Sequence, residues 1–260
     1  MPQRKIARTI ACLALASHPA SLLAEDIVLA APDYWCPVSC KAGGAEEGFA
    51  VELLRTVFER QGYTVRYRNL NYSRALAEAR SNRVTAITAA YKREAPGFVF
   101  PAEPSLVGHY CFFTRPGGSW RYTGTASIPG RVVGVIQSYS YGQALDGYIQ
   151  RHHANFDIHT GDGALQRMIG KLQIGRLDAF VEDETLVRYM QIKDPRLALR
   201  QAGCTEAVYA YPAFSPSNTH AQQYAALYSA GVAALRKSGE LGRILARYGA
   251  TEWNEAKPGK

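Results

Sequence analysis

Several features that mark large classes of protein are missing from this sequence of 260 residues. Beyond the N-terminal segment there is no uncharged apolar stretch near the roughly 20 residues that a membrane-spanning helix needs, so an integral membrane protein is not expected. No stripe of Lys and Arg with interleaved aromatic residues occurs, which argues against a nucleic-acid interface. No internal repeat or low-complexity tract is found, and the length allows two domains of ordinary size.

The N-terminal segment has the layout of a secretory signal peptide. Three basic residues, Arg4, Lys5 and Arg8, precede an apolar run over 10–15 and a second short run that ends at Ala24. We therefore expect residues 1–24 to be a signal peptide and the mature protein to be periplasmic. A lipidated cysteine at Cys12 is the alternative, but too little apolar sequence precedes it. Loss of the three basic residues would lower the formal net charge of +8 by about three and leave a mildly basic surface.

Few cysteines remain after such a cleavage, and their number is even. Disulfides are then allowed, because the compartment is oxidising. A short loop can bring Cys36 and Cys40 together, so this pairing is predicted, whereas a bond between Cys111 and Cys204 is only the pairing that remains. Zinc is the alternative for Cys36 and Cys40, but no second pair of Cys or His lies at finger-like spacing. We expect no metal and no cofactor.

Short strands and helices alternate along the first part of the mature chain, as in α/β proteins with largely parallel sheets. Gly48 opens an amphipathic helix whose apolar residues recur at helical spacing, and Ser73 is the expected cap of the next helix. The predicted elements are strands over 26–31, 63–67, 84–90 and 106–114 and helices over 49–60 and 73–80.

A break at 115–118, with the sequence Arg-Pro-Gly-Gly, precedes a second series of elements. This series has strands predicted over 131–136 and 177–181, helices over 140–152, 163–173 and 183–191, an extended stretch over 207–214 and a helical tail over 218–248. We therefore predict a first lobe over 25–113, a second lobe over 114–207 and a return to the first lobe over 208–260.

Several segments, taken in order, resemble the family 3 extracellular solute-binding proteins, the periplasmic components of ABC importers for polar amino acids and similar solutes. The segments are Gly48-Phe49, Tyr72-Ser73-Arg74-Ala75-Leu76, Phe100-Pro101-Ala102-Glu103-Pro104, Gly134-Val135, Ser138-Tyr139-Ser140-Tyr141-Gly142, Lys171-Leu172 and Gly175-Arg176-Leu177-Asp178-Ala179. The resemblance implies a two-lobed α/β fold of the type II periplasmic-binding-protein kind, with mixed or parallel sheets flanked by helices and a two-strand hinge near Thr114 and Tyr209. It also implies a monomer that binds a small-molecule ligand between closing lobes and delivers it to an ABC transporter permease in the inner membrane.

Candidate ligand-binding residues of the second lobe lie in two places. Ser138, Tyr139, Ser140 and Tyr141 come between a predicted strand and a helix, where free backbone N–H groups and the helix dipole bind anions; the alternative is that the serines only cap the helix. Asp183 lies five residues after Asp178, the offset at which amino-acid binders of the family place the carboxylate that pairs with the ligand ammonium. The alternative role of Asp183 is that of an acid at a helix N-terminus.

In the first lobe, Tyr34, Trp35 and Tyr72 are candidate aromatic walls for the ligand, with ordinary core packing as the alternative. Arg74 resembles the arginine of the family's aromatic-x-Arg-Ala segment, which suits a bidentate contact to a carboxylate.

The sequence departs from the family pattern around Tyr91, Lys92 and Arg93. Amino-acid binders carry a Thr, a Pro or similar residue, and an Arg that clamps the α-carboxylate; here Tyr91 and Arg93 are retained as candidate ligand contacts, with Lys92 as an alternative cation. The ligand class stays open among amino acids, other small carboxylates, amines and peptide fragments.

Two other functions compete with solute binding. An enzyme on the same scaffold, similar to periplasmic cyclohexadienyl dehydratases, needs a placed acid or base, for which Glu182, Asp183 and Glu184 are the candidates. A sensing module read by a membrane receptor would bind its ligand in the same way. No histidine joins a recognisable nucleophile motif, and we predict a protein that catalyses nothing.

Overall fold

The computed structural model describes residues 26–137, 139–161 and 163–253. The predicted signal peptide and Ser138 lie outside the described residues. Within those ranges, no helix has both the length and the apolar character that crossing a membrane requires.

The first lobe is built around one five-stranded sheet. Its strands are β1 (Asp26–Ala31), β2 (Thr64–Asn69), β3 (Ala86–Ala90), β4 (Leu106–Gly108) and β10 (Val208–Phe214), in the order β2-β1-β3-β10-β4. Strand β1 is parallel to β2 and β3, and β10 is antiparallel to β3 and β4. The helices of this lobe are α1 (Phe49–Glu59), α2 (Tyr72–Arg80), α6 (Ala221–Lys237) and α7 (Glu240–Arg247).

The second lobe has its own five-stranded sheet. Its strands are β5 (Tyr110–Thr114), β6 (Val133–Ile136), β7 (Phe156–His159), β8 (Ala179–Asp183) and β9 (Arg200–Cys204), in the order β7-β6-β8-β5-β9. Strand β6 is parallel to β7 and β8, whereas β5 is antiparallel to β8 and β9. Its helices are α3 (Gln143–Arg151), α4 (Ala164–Gln173) and α5 (Glu184–Lys193). The predicted two-lobed α/β fold is confirmed, and the strands of the second sheet all lie between β4 and β10 in the sequence.

The two lobes are joined by two short segments, His109 and residues 205–207. The predicted single strand over 106–114 is wrong, since its first three residues pair with β10 and its last five pair with β8 and β9. The second sheet therefore begins at Tyr110, and the boundary predicted after 113 falls inside β5. The Nδ1 atom of His109 lies 3.1 Å from the carbonyl oxygen of Thr205, so the two joining segments contact each other.

The core of the first lobe forms where α1, α6 and α7 pack on the sheet. The apolar residues of α1 are buried, among them Phe49, Leu54 and Phe58. Gly48 precedes the helix with a φ of 101°, and a Cβ there would lie 2.5 Å from the carbonyl oxygen of Val38. Only glycine fits this close approach of the helix start to the loop after β1. The next helix, α2, is capped by Asn71, whose side chain accepts from the backbone N–H of Arg74, and not by Ser73.

Both disulfides of the mature chain are formed. Cys36 and Cys40 close a small loop after β1, which confirms the predicted pairing. Cys111 and Cys204 are directly opposite each other on β5 and β9, and they are also bonded. The second bond ties an edge strand of the second lobe to its neighbour.

Candidate ligand-binding site

A cavity of about 310 Å³ lies between the lobes and draws its lining from both. This volume is at the lower end of the range for small-molecule sites. The first lobe contributes the ends of β1 and β3 and the start of α2, and the second contributes β5, the loop after β6, the end of β8 and the first turn of α5. The lining residues are Pro32, Tyr34, Trp35, Tyr72, Ala90, Tyr91, Glu94, Tyr110, Tyr139, Ser140, Glu182, Asp183 and Leu186.

The loop after β1 presents Tyr34 and Trp35 on a closed turn. The carbonyl oxygen of Trp35 accepts hydrogen bonds from the backbone N–H groups of Val38 and Ser39, at 2.8 and 3.0 Å. The Ser39 hydroxyl donates to the carbonyl oxygen of Pro32 at 2.6 Å. Together with the Cys36–Cys40 bond, these contacts fix the turn on which the indole is carried.

Tyrosines form most of the remaining wall. The Tyr72 hydroxyl donates to Glu94 Oε2 at 3.0 Å, within the first lobe. Tyr91 packs against the Trp35 ring at a centroid distance of 6.4 Å. Its hydroxyl lies near that of Tyr110, which belongs to the second lobe. Aromatic side chains thus meet across the joint between the lobes.

Two hydrogen-bond donors of the predicted anion-binding segment are already bonded to a carboxylate of the same lobe. The carboxylate of Asp146, in the first turn of α3, accepts from the Ser140 hydroxyl at 2.6 Å and from the Tyr141 backbone N–H at 2.7 Å. These two donors are therefore already bonded. The N-cap of α3 is Gly142 and no side chain among the described residues caps the helix, so Ser140 does not have the capping role that was the alternative. Tyr139 and Ser140 line the cavity, but Tyr141 is buried beneath it, packed edge to face against Tyr110.

Two predicted cations do not line the cavity. The Nε atom of Arg74 donates to Glu78 Oε1 at 3.0 Å, because α2 turns this side chain along its own surface. Arg93 lies over the Tyr91 ring, 5.7 Å from its centroid, and lines a neighbouring groove. Lys92, the alternative to Arg93, lies 4.3 Å from the centroid of Tyr211 and lines the same groove.

Two consecutive carboxyl groups at the end of β8 form the floor of the cavity. Asp183 is the N-cap of α5, and its Oδ1 accepts from the N–H groups of Thr185 and Leu186 at 2.8 and 3.1 Å. Glu182 Oε1 accepts from the Asp183 N–H at 2.9 Å, while its Oε2 is buried with no hydrogen-bond partner among the residues that the structure describes. Burial raises the pKa of Glu182 to about 8 and that of Asp183 to about 6.

Sequence reasoning missed several of these residues as ligand contacts. Glu182 was considered only as a catalytic acid, and Tyr110 and Glu94 were not considered at all. A sequence signal existed for Glu182, since an acid at the end of the apolar run Ala-Phe-Val is unusual in a central strand buried on both faces.

The cavity has acidic and aromatic character. Its lining holds six aromatic side chains and three carboxyl groups. Lys, Arg and His are absent from the lining, as far as the described residues go. The described part of the chain also has no group of three or more His, Cys, Asp and Glu side chains placed to hold a metal ion.

No protein-family model matches the sequence, and no curated protein matches it. Solved structures, by contrast, superpose on most of the chain. The probable amino-acid ABC transporter extracellular-binding protein YtmK of Bacillus subtilis aligns with a TM-score of 0.71 at 15% identity, over 86% of this chain and 97% of its own. A structure described under glutathione import via GshT and the cystine ABC importer TcyBC of Streptococcus mutans gives 0.70 at 15% identity, over 89% and 98%. The L-cystine solute receptor of Neisseria gonorrhoeae, in its unliganded open conformation, gives 0.66 at 16% identity, over 87% and 94%. The chain therefore has the two-lobed fold of these binding proteins.

Proposed function

We propose that this protein is a periplasmic solute-binding protein, which captures a small polar solute between its lobes and delivers it to an ABC importer in the inner membrane. The observation that carries the proposal is the cavity lined by both lobes beside a two-segment joint. The names of the structural relatives, an extracellular-binding protein of an ABC transporter and a cystine solute receptor, support it. The signal-peptide pattern of residues 1–24 agrees with that location.

Ligand capture follows from contacts made to both lobes at once. A solute that bonds to Glu182 in the second lobe and packs on Trp35 in the first stabilises the closed arrangement over an open one. Contacts outside the cavity also favour the closed arrangement. The Tyr189 hydroxyl of α5 donates to Glu46 Oε2 of the first lobe at 2.6 Å, and Lys193 Nζ lies 2.9 Å from the same oxygen.

A thermal-shift screen of amino acids, amines and small organic acids tests the proposal. A ligand at about a hundred times its dissociation constant adds roughly 2.7 kcal/mol to the free energy of unfolding. Binding should also change the emission of Trp35, and the variant Trp35→Phe should lose that change although Trp120 and Trp253 remain. An unchanged radius of gyration in solution scattering with every ligand that binds would contradict closure of the lobes.

One observation favours an enzyme as the second candidate. A carboxyl group whose pKa is raised by burial, as in Glu182, can donate a proton at neutral pH. A dehydratase of cyclohexadienyl acids would use such a group, and a turnover assay with prephenate-like and arogenate-like acids separates this function from binding. A sensing function is tested by co-purification with a membrane receptor instead of a permease.

A further inference from the structure

We propose that the captured solute is an organic cation that needs no carboxylate, with its charged nitrogen against Glu182 and its carbon atoms among the aromatic rings of the cavity. This inference rests on the proposed function, and it names the class of ligand that the same site takes.

The first support is the position of Glu182. Its side chain is 2% exposed, Oε1 accepts from the Asp183 backbone N–H, and Oε2 has no partner among the described residues. A buried carboxylate without a counter-charge is costly, whereas one that meets a cation or a donor is stabilised. Glu182 lines the cavity. A ligand seated there supplies the missing partner, whereas Asp183 already holds the first N–H groups of α5.

The second support is the aromatic surface opposite the carboxylate. Tyr34, Trp35, Tyr72 and Tyr91 face Tyr110 and Tyr139 across the cavity. The faces of such rings attract cations, with an attraction that grows as the site loses water. Tyr34 and Tyr139 are 70% and 46% exposed at the rim, so they have surface left to lay over a ligand as the lobes close.

The third support is that no basic side chain among the described residues lines the cavity to pair with an anionic group. Two donors before α3, the Ser140 hydroxyl and the Tyr141 backbone N–H, are already bonded to Asp146. Arg74 pairs with Glu78, and Arg93 and Lys92, which lie over the rings of Tyr91 and Tyr211, line the neighbouring groove and not the cavity. A zwitterionic amino acid would therefore bring its carboxylate to a lining that offers acids and aromatic rings. Amines and quaternary ammonium ions avoid the free-energy cost of burying a carboxylate without a charged partner.

Matched probe pairs test the inference by calorimetry. Each of two cations is compared with a partner of similar shape: choline with the uncharged 3,3-dimethyl-1-butanol, and agmatine with arginine, which has an additional carboxylate. We expect at least one cation to bind ten times more tightly than its partner. We expect Glu182→Gln, which keeps the shape and removes the charge, to weaken that cation roughly ten- to hundredfold.

Glu184→Gln is the matched control. It removes the same charge two residues away, but Glu184 pairs with Arg188 at 3.0 Å and does not line the cavity. Affinity within about twofold of the unaltered protein is expected. If Glu182→Gln does not fold, the probe pairs on the unaltered protein decide by themselves.

Two results would overturn the inference. One is that neither cation binds more tightly than its partner, and the other is equal loss of affinity in Glu182→Gln and Glu184→Gln. An amino acid could instead bind tightly and close the lobes, with an affinity that Glu182→Gln does not change. This result would refute the inference that the ligand is a cation, while leaving the solute-binding function intact. Absence of closure with every ligand that binds would instead count against the proposed function.

Discussion

Binding of a quaternary ammonium ion should release a proton from Glu182, and the affinity should therefore depend on pH. Burial raises the pKa of this carboxyl group to about 8, so it is mostly protonated at pH 6.5 before the ligand arrives. A cation favours the ionised form and lowers that pKa on binding. Tetramethylammonium is a suitable probe, because its charge does not titrate.

The groups that surround Glu182 do not mask this dependence. Asp183, with a pKa raised by burial to about 6, is mostly ionised above pH 7. The phenol groups of Tyr110, Tyr139 and Tyr141 have pKa values raised by burial, so they stay neutral throughout the range. The proton released near pH 7 is therefore that of Glu182.

The size of the effect follows from the ionised fraction of Glu182. If only the ionised form binds, the apparent dissociation constant rises by a factor of one plus the ratio of protonated to ionised carboxyl. Between pH 8.5 and pH 6.5 this factor changes roughly 25-fold for a pKa of about 8. Affinity is highest at the alkaline end and falls as the pH falls through about 8.

Titration calorimetry in buffers of different ionisation enthalpy measures both quantities, the affinity and the number of protons released. At pH 7 we expect close to one proton for each tetramethylammonium ion bound. Glu182→Gln should show a flat pH profile, and Glu184→Gln should keep the slope. A flat profile in the unaltered protein, or the same slope in Glu182→Gln, would refute the coupling.

Three further predictions concern stability and closure. Glu182→Gln should raise the melting temperature of the empty protein at pH 8 by about 2–4 °C or more. The pKa of Glu182 in the folded protein lies above the ordinary 4.5, so this group lowers the stability of the folded state as the pH rises from about 4.5 to 8. Scanning calorimetry at pH 5 should therefore show a smaller gain. Tyr189→Phe removes the hydroxyl that bonds to Glu46 across the lobes. Solution scattering should then show a larger radius of gyration for the empty protein, and calorimetry should show a ligand affinity that is a few-fold lower. An unchanged radius of gyration would argue against a role of this contact in closure. Replacing Cys36 and Cys40 together by Ser should loosen the turn that carries Trp35, which should shift the tryptophan emission to the red and weaken ligand binding. Unchanged emission and affinity would show that the backbone hydrogen bonds suffice to hold this turn.

Elements with a clear burial pattern could be predicted from the sequence, and edge elements could not. The strand over 26–31 and the helix beginning at 49 agree with β1 and α1, because continuous apolar runs and helical spacing reflect burial directly. Strands β7 and β9 were missed, since both lie at sheet edges and have short, mixed sequences, Phe-Asp-Ile-His and Arg-Gln-Ala-Gly-Cys. The apolar run over 106–114 gives no local sign that the chain changes sheets at His109.

The candidate site was predicted in part for a similar reason. Of the residues predicted to bind the ligand, those that line the cavity are Tyr34, Trp35, Tyr72, Tyr91, Tyr139, Ser140 and Asp183. The direction of each side chain depends on contacts that the sequence does not show. Arg74 is turned away by Glu78 on its own helix, and Tyr141 supports Tyr110 from beneath.

Two carboxylates of the second lobe determine which charge the cavity accepts. Asp146 accepts from two donors before α3, the Ser140 hydroxyl and the Tyr141 N–H, and Glu182 has a buried acceptor oxygen with no partner in the described part of the chain. The first lobe adds aromatic surface from Tyr34, Trp35 and Tyr72, which is neutral and packs on alkyl groups as well as on cations. Closure brings this surface over the carboxylate. A charge pair that the ligand forms in the second lobe therefore stabilises the closed arrangement only when the ligand also contacts the first lobe. A small cation that contacts Glu182 alone would bind without closing the lobes, so the length of the ligand, and not only its charge, should decide which solutes are captured.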